Sequence, residues 1–174
     1  MPIQVIIKYI IHFINTFNEW IGRLIAWLIL FLVLLIVYHA TMAALFSIGS
    51  VALQELQWHL FALIFLLGSA YTLKYDEHVR VDVIYQGHWM NEHRRAWVNL
   101  LGGFLFLVPF CLIIISASWQ FVFDAYIHQE GSSDPGGLPH RFLLKATIPI
   151  GFFLLMLQGI ANSLSSLLYL FEEK

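Results

Sequence analysis

Charged side chains are scarce in this sequence. Asp, Glu, Lys and Arg make up 11% of its 174 residues, against about 25% in soluble domains. Hydrophobic residues reach 60%, above the roughly 45–50% usual for soluble domains, and mean hydropathy is +0.77. There is too little polar surface here to clothe a water-soluble globule. The net charge is −2, so no basic field exists to hold nucleic acid. Cysteine occurs once, as Cys111, which excludes an internal disulfide and any Cys-x-x-Cys metal or redox pair. P-loop, Rossmann and Gly-x-Ser-x-Gly strings are missing. His88, Glu92 and His93 come near a zinc pattern, but one residue too many separates the first two. Neither an enzyme nor a cofactor or metal site is expected. An all-helical integral membrane protein is.

Four stretches carry no Asp, Glu, Lys or Arg: Leu24–Gln54, Leu56–Leu73, Ala96–Phe123 and Ala146–Phe171. About 20 helical residues cross a hydrocarbon core about 30 Å thick. Long all-round apolar runs such as Leu24–Tyr38 do not alternate as barrel strands must. Backbone polar groups in lipid must be satisfied within the segment, which leaves helix. The sequence therefore predicts four transmembrane helices, at about 24–48, 55–75, 96–123 and 146–171, within a domain of residues 23–174. Lys8, Arg23, Lys74, Arg80, Arg94, Arg95 and Lys174 fall on one side of these spans, and only Arg141 and Lys145 on the other. The positive-inside rule then puts both termini in the cytoplasm.

Residues 1–22 differ from the spans. Gln4, Lys8, His12, Asn15 and Glu19 recur at steps of four, four, three and four, drawing one polar stripe along an otherwise apolar helix. Such a helix suits the membrane interface, or the surface of a partner. A signal peptide fits poorly, because the apolar run that follows is about twice too long and no small-residue cleavage site follows.

Ion-translocating proteins place ionisable residues inside the membrane. Here the spans offer only His39 and His59. Axial ligation of a haem is the alternative these two raise, and with it an electron-transfer anchor. Their levels differ by roughly 6 Å along the helix axes, however, whereas one haem wants both ligands at one height. Other intramembrane polar residues suit helix–helix packing. Gln158 and Asn162 lie one turn apart, and Gly159 with Ser163 forms a small-xxx-small pair. Pro109 and Pro149 should kink their helices.

The connection after span two is the most distinctive part: Lys74-Tyr75-Asp76-Glu77-His78-Val79-Arg80-Val81-Asp82-Val83-Ile84-Tyr85. As a helix it sets Asp76 and Arg80 at i,i+4. As a strand it alternates Val79, Val81 and Val83 with charge. Helix is preferred, since an isolated strand here has no pairing partner. The string His78-Val79-Arg80-Val81-Asp82, placed directly after a second span, resembles the DctQ-like small membrane subunit of TRAP (tripartite ATP-independent periplasmic) transporters. So do the amphipathic start and the approach to span four, Leu138-Pro139-His140-Arg141 and Lys145 through Pro149 to Gly151.

The resemblance implies a non-catalytic scaffold in the bacterial inner membrane. Its partners would be a large DctM-like subunit that moves substrate with sodium, and a periplasmic binding protein that delivers an organic acid. Asp76, Glu77, His78, Arg80 and Asp82 would then form the cytoplasmic edge that meets the partner.

Overall fold

The computed structural model describes residues 2–77, 87 and 90–172. Helix α1 runs from Pro2 to Phe46, α2 from Val51 to Lys74 and α3 from Glu92 to Leu101. A π-helical stretch, Gly102–Leu107, joins α3 to α4, Val108–Ile127, and α5 spans Phe142–Glu172. No strand occurs among the described residues. Among the described residues, four helical segments are long and apolar enough to cross a membrane: Ile3–Phe46, Val51–Lys74, Glu92–Ile127 and Phe142–Glu172.

Local chemistry sets the ends of these helices. α1 stops where Ser47 takes a left-handed φ of 55°, and Ser50 then caps α2, its Oγ accepting from the Leu53 N–H at 3.4 Å. At the far end of α2 the Glu77 N–H bonds to the Thr72 carbonyl at 3.1 Å and the Asp76 N–H to that of Leu73 at 3.3 Å. This is a Schellman motif, with Asp76 at φ 60° in the left-handed position that glycine usually fills. The same device closes α4, where Gln129 takes φ 46° and the Glu130 N–H reaches the Ala125 carbonyl at 3.0 Å. In the third span the backbone before Pro109 changes helix type. Pro109 has no N–H and its ring crowds the carbonyl of Leu105, and the turn before it widens into the π-helical stretch.

α5 is the central helix, and α1, α2, α3 and α4 all pack on it. Neighbours along α1 and α2 run antiparallel, from Glu19 beside Lys74 to His39 beside Gln57. α2 and α5 run parallel, with Leu66 against Gly151 and Leu73 against Asn162. The third span descends α5 antiparallel, from the Glu92–Tyr169 contact to the packing of Phe110 on Phe152 and Tyr126 on Phe142. The chain therefore passes up, down, up and down, and Lys8 and Glu172 meet at 2.9 Å at one end of the bundle.

Helix lengths are unequal. From Glu55 to Lys74 on α2 is about 28 Å at 1.5 Å per residue, close to the thickness of a hydrocarbon core. α1 has 45 residues against 24 in α2, so its first 18 or so continue past the level of Lys74. The helix passes residue 22 without a break, so the stretch expected as an interfacial element is continuous with span one. Its polar stripe does not face outward throughout: Lys8, Asn15 and Glu19 turn toward α5 and α2.

Candidate functional site

Where α1, α2 and α5 meet, a seam of amides fills the interface. Gln158 is fully buried, at 0% exposure, and is the hub. Its Oε1 accepts from Asn18 Nδ2 at 2.8 Å, and its Nε2 donates to Asn15 Oδ1 and to Asn162 Oδ1, both at 2.9 Å. Asn162 Nδ2 in turn donates to the Leu73 carbonyl at 3.1 Å. Helical spacing explains the geometry: Asn15 and Asn18 share a face three residues apart, and Gln158 and Asn162 share one four apart. In a low-dielectric setting such a network favours one register of the helices.

Just beyond the seam lies a charged cluster. Glu19 Oε2 accepts from Lys74 Nζ at 2.6 Å and from the Tyr75 hydroxyl at 2.7 Å, and Arg23 Nε donates to Oε1 at 3.2 Å. The Lys74 ammonium also stands 5.0 Å over the Tyr75 ring. Each charge therefore has a partner at the depth where burial penalises it. Asp76 and Glu77 follow immediately, in the left-handed turn that ends α2. The rest of the distinctive string, His78, Arg80 and Asp82, lies outside the described residues.

Gly159 and Ser163 lie where the third span crosses α5. A Cβ on Gly159 would collide with the Leu107 side chain, and one on Gly103 would overlap Ser163 Oγ. Backbones thus approach closely at this crossing, as small residues permit. The two histidines stand near the opposite end. His39 Nδ1 is 3.1 Å from Gln57 Nε2, its Nε2 accepts from the Ser50 N–H at 3.5 Å, and His59 Nδ1 lies 2.6 Å from the Glu55 carbonyl. Both tie turns of helix together.

Two contributors are not among the residues singled out from the sequence. Asn18 falls one position off the polar stripe; plotting Asn15 and Asn18 on a helical wheel would have joined them. Glu55 reads in the sequence only as an interruption between two apolar runs. In the structure its side chain is 6% exposed. It accepts from the Ser132 hydroxyl and, at 2.6 Å, from the Leu138 N–H. The connection it grips is doubled back on itself, with the Ser132 N–H on the Leu138 carbonyl at 3.0 Å and the Arg141 N–H on the Glu130 carbonyl at 2.8 Å. Glu55 is thus the pin that holds the α4–α5 connection onto α2.

Replacing it with Leu leaves two donors unmet and frees the connection. Trypsin should then cut after Arg141 about tenfold faster, through more frequent local opening. Glu55→Gln keeps one acceptor oxygen for the Leu138 N–H and presents an amide N–H to the Ser132 hydroxyl oxygen in place of the other, so it should cleave close to the wild-type rate. Equal cleavage of Glu55→Leu and wild type would remove this role.

This arrangement holds helices together, turns the amides of Gln158, Asn15 and Asn162 on neighbouring helices and leaves an apolar exterior, with Trp20, Trp27, Phe65, Phe106 and Trp119 among the large exposed side chains. No curated protein sequence matches the chain significantly. The family model described as tripartite ATP-independent periplasmic transporters, DctQ component, matches residues 32–168, which takes in most of α1 beyond the seam and all of α2 to α4. The chain belongs to the DctQ family: it is a small, multi-pass inner-membrane permease subunit of a TRAP transporter.

Proposed function

We propose that this subunit is a static scaffold for a large DctM-like membrane subunit, in a sodium-coupled transporter that takes up organic acids handed over by a periplasmic binding protein. Sodium coupling and substrate movement belong to the large subunit on this view, and the small chain has no catalytic part. The observation that carries the proposal is where the polar groups go. Gln158, Asn15, Asn18 and Asn162 turn on one another, and Glu19 on Lys74, so the intramembrane polar groups support packing and offer no string of ionisable sites for an ion. Both termini face the cytoplasm, by the excess of Lys and Arg at that end. The N-terminal part of α1, with Tyr9, Phe13 and Phe17 exposed, continues past the level of Lys74 beside α5 and offers that apolar face to the large subunit.

Asp76, Glu77, His78, Arg80 and Asp82 form the cytoplasmic edge against the large subunit. A charge there sets orientation and rejects a misaligned partner. Arg80→Glu should therefore reduce co-purification of the large subunit at least about tenfold, which corresponds to about 1.4 kcal/mol, and depress uptake in proportion. Normal recovery and uptake with Arg80→Glu would dismiss the edge assignment. Solute uptake by vesicles containing this chain alone would dismiss the scaffold role itself.

A further inference from the structure

The widened turn of the third span leaves a backbone acceptor without its helical donor. The Phe104 carbonyl can be reached by the N–H of Val108, four residues on, or in a π-helical turn by that of residue 109. Val108 gives its N–H to the Gly103 carbonyl instead, and position 109 is proline, which has none. No side chain among the described residues donates to Phe104. The Ser163 hydroxyl does not fill the gap: it sits over Gly103, on the α5 side, and makes no hydrogen bond.

The gap faces outward. Phe104 and Pro109, which bracket it, are both exposed, as are Leu105 and Phe106 between them. Gly103 lies against Ser163 and Phe110 against Phe152 on α5, so the turn belongs to the packed, membrane-crossing part of the third span. A backbone group in hydrocarbon needs a partner, and irregular helix is tolerated there only against protein or a water-filled cavity. A second acceptor shares this face. Pro109, Leu112 and Ser116 stand at i, i+3 and i+7, and the exposed Ser116 spends its hydroxyl proton on the Ile113 carbonyl at 2.9 Å. Its oxygen keeps lone pairs to offer. Lipid tails bring no donor to either group, and a second copy docked by the same face would set acceptors against acceptors.

We propose that the face of the third span from Phe104 to Ser116 is the intramembrane contact with the large subunit, and that a helix of that subunit brings side-chain hydroxyl or amide donors to the Phe104 carbonyl and Ser116 Oγ. The inference rests on the scaffold reading and adds a place within the membrane to it. Pro109→Ala tests it, because alanine restores the missing N–H and lets the turn close into regular helix. The purified variant should melt at or above the wild-type temperature. Its recovery of the large subunit in mild detergent should nonetheless fall about tenfold, the effect of leaving one donor of the partner unmet. A packing role within the chain would instead lower the melting temperature.

In the assembled transporter, a photo-crosslinking side chain at position 105, which is 62% exposed in this chain, should capture the large subunit. Full recovery of the large subunit by Pro109→Ala overturns the proposal, as does a melting temperature of that variant below wild type. Capture of lipid alone, or of a second copy of this chain, from position 105 overturns it as well. These results leave the scaffold reading standing, provided that the wild-type chain still recovers the large subunit. A wild-type chain that recovers none brings down the scaffold reading, and this surface with it.

Discussion

Gln158→Leu should lower the melting temperature of the purified subunit by roughly 5 °C, equivalent to about 2 kcal/mol for a chain of this size. Leucine fills nearly the same volume and is at home in lipid, so a loss of stability reports the amide alone. Gln158 serves three side chains at once, Asn15, Asn18 and Asn162. Individual interhelical hydrogen bonds in membranes average only about 0.6 kcal/mol. The effect grows here because the partners are left buried with no replacement, and Asn18 is only 1% exposed.

The damage should also be directional. The N-terminal part of α1 is held to α5 by this seam and by the exposed Lys8–Glu172 pair at 2.9 Å, and an exposed ion pair contributes little by itself. Trypsin should therefore reach Lys8 and Arg23 sooner in Gln158→Leu, while the α4–α5 connection stays as protected as in wild type. A double-mutant cycle with Asn18→Leu should show coupling, since the second substitution removes a partner already orphaned by the first. A variant as stable as wild type, with α1 equally protected, would mean that the seam contributes nothing to docking.

Gly151→Leu should do more harm still. A Cβ at Gly151 would sit 2.8 Å from the Leu66 carbonyl oxygen and 3.0 Å from its carbon. Those atoms are backbone, so no rotamer change can clear them, and α2 must move away from α5 as a unit. Overpacking in a close-packed core typically costs about 1–3 kcal/mol, and a full leucine at a backbone-to-backbone crossing belongs at or above the top of that range. Most of the protein should leave the monodisperse peak in size-exclusion chromatography, with Gly151→Ala intermediate. The contrast with Gly68 is a useful control. Nothing lies within 4 Å of a Cβ there, so Gly68→Ala should elute and melt like wild type. Full recovery of folded Gly151→Leu would show that α2 and α5 do not touch at this level.

Much of this was legible in the residues. The runs without charge located four spans because lipid tolerates neither unpaired backbone nor stray charge. The string around His78, Arg80 and Asp82 pointed to the family that the comparison of residues 32–168 then showed. Gln158 and Asn162, Gly159 and Ser163 could be marked as packing residues from spacing alone. Their partners could not: a hydrogen bond between positions 18 and 158 crosses 140 residues of chain, and nothing local encodes it. The polar stripe of α1 illustrates the limit. Periodicity says that one face is polar, but water, headgroups and a neighbouring helix satisfy the same amides equally well. Glu55 shows it again, since a lone carboxylate between apolar runs looks like an interruption until the distant Ser132 and Leu138 close on it.

Composition and hydropathy thus determined that this is a four-span helical membrane protein, because solvation by lipid acts on each residue independently of the others. Only the tertiary structure decided that α5 is the central helix, that α1 runs unbroken past the end of α2, and that the third span widens into a π-helical turn against Ser163. These depend on which surfaces meet, and in a bilayer every apolar face is equally content against lipid. The choice of neighbour therefore falls to a few glycines that let backbones touch and a few amides that find each other.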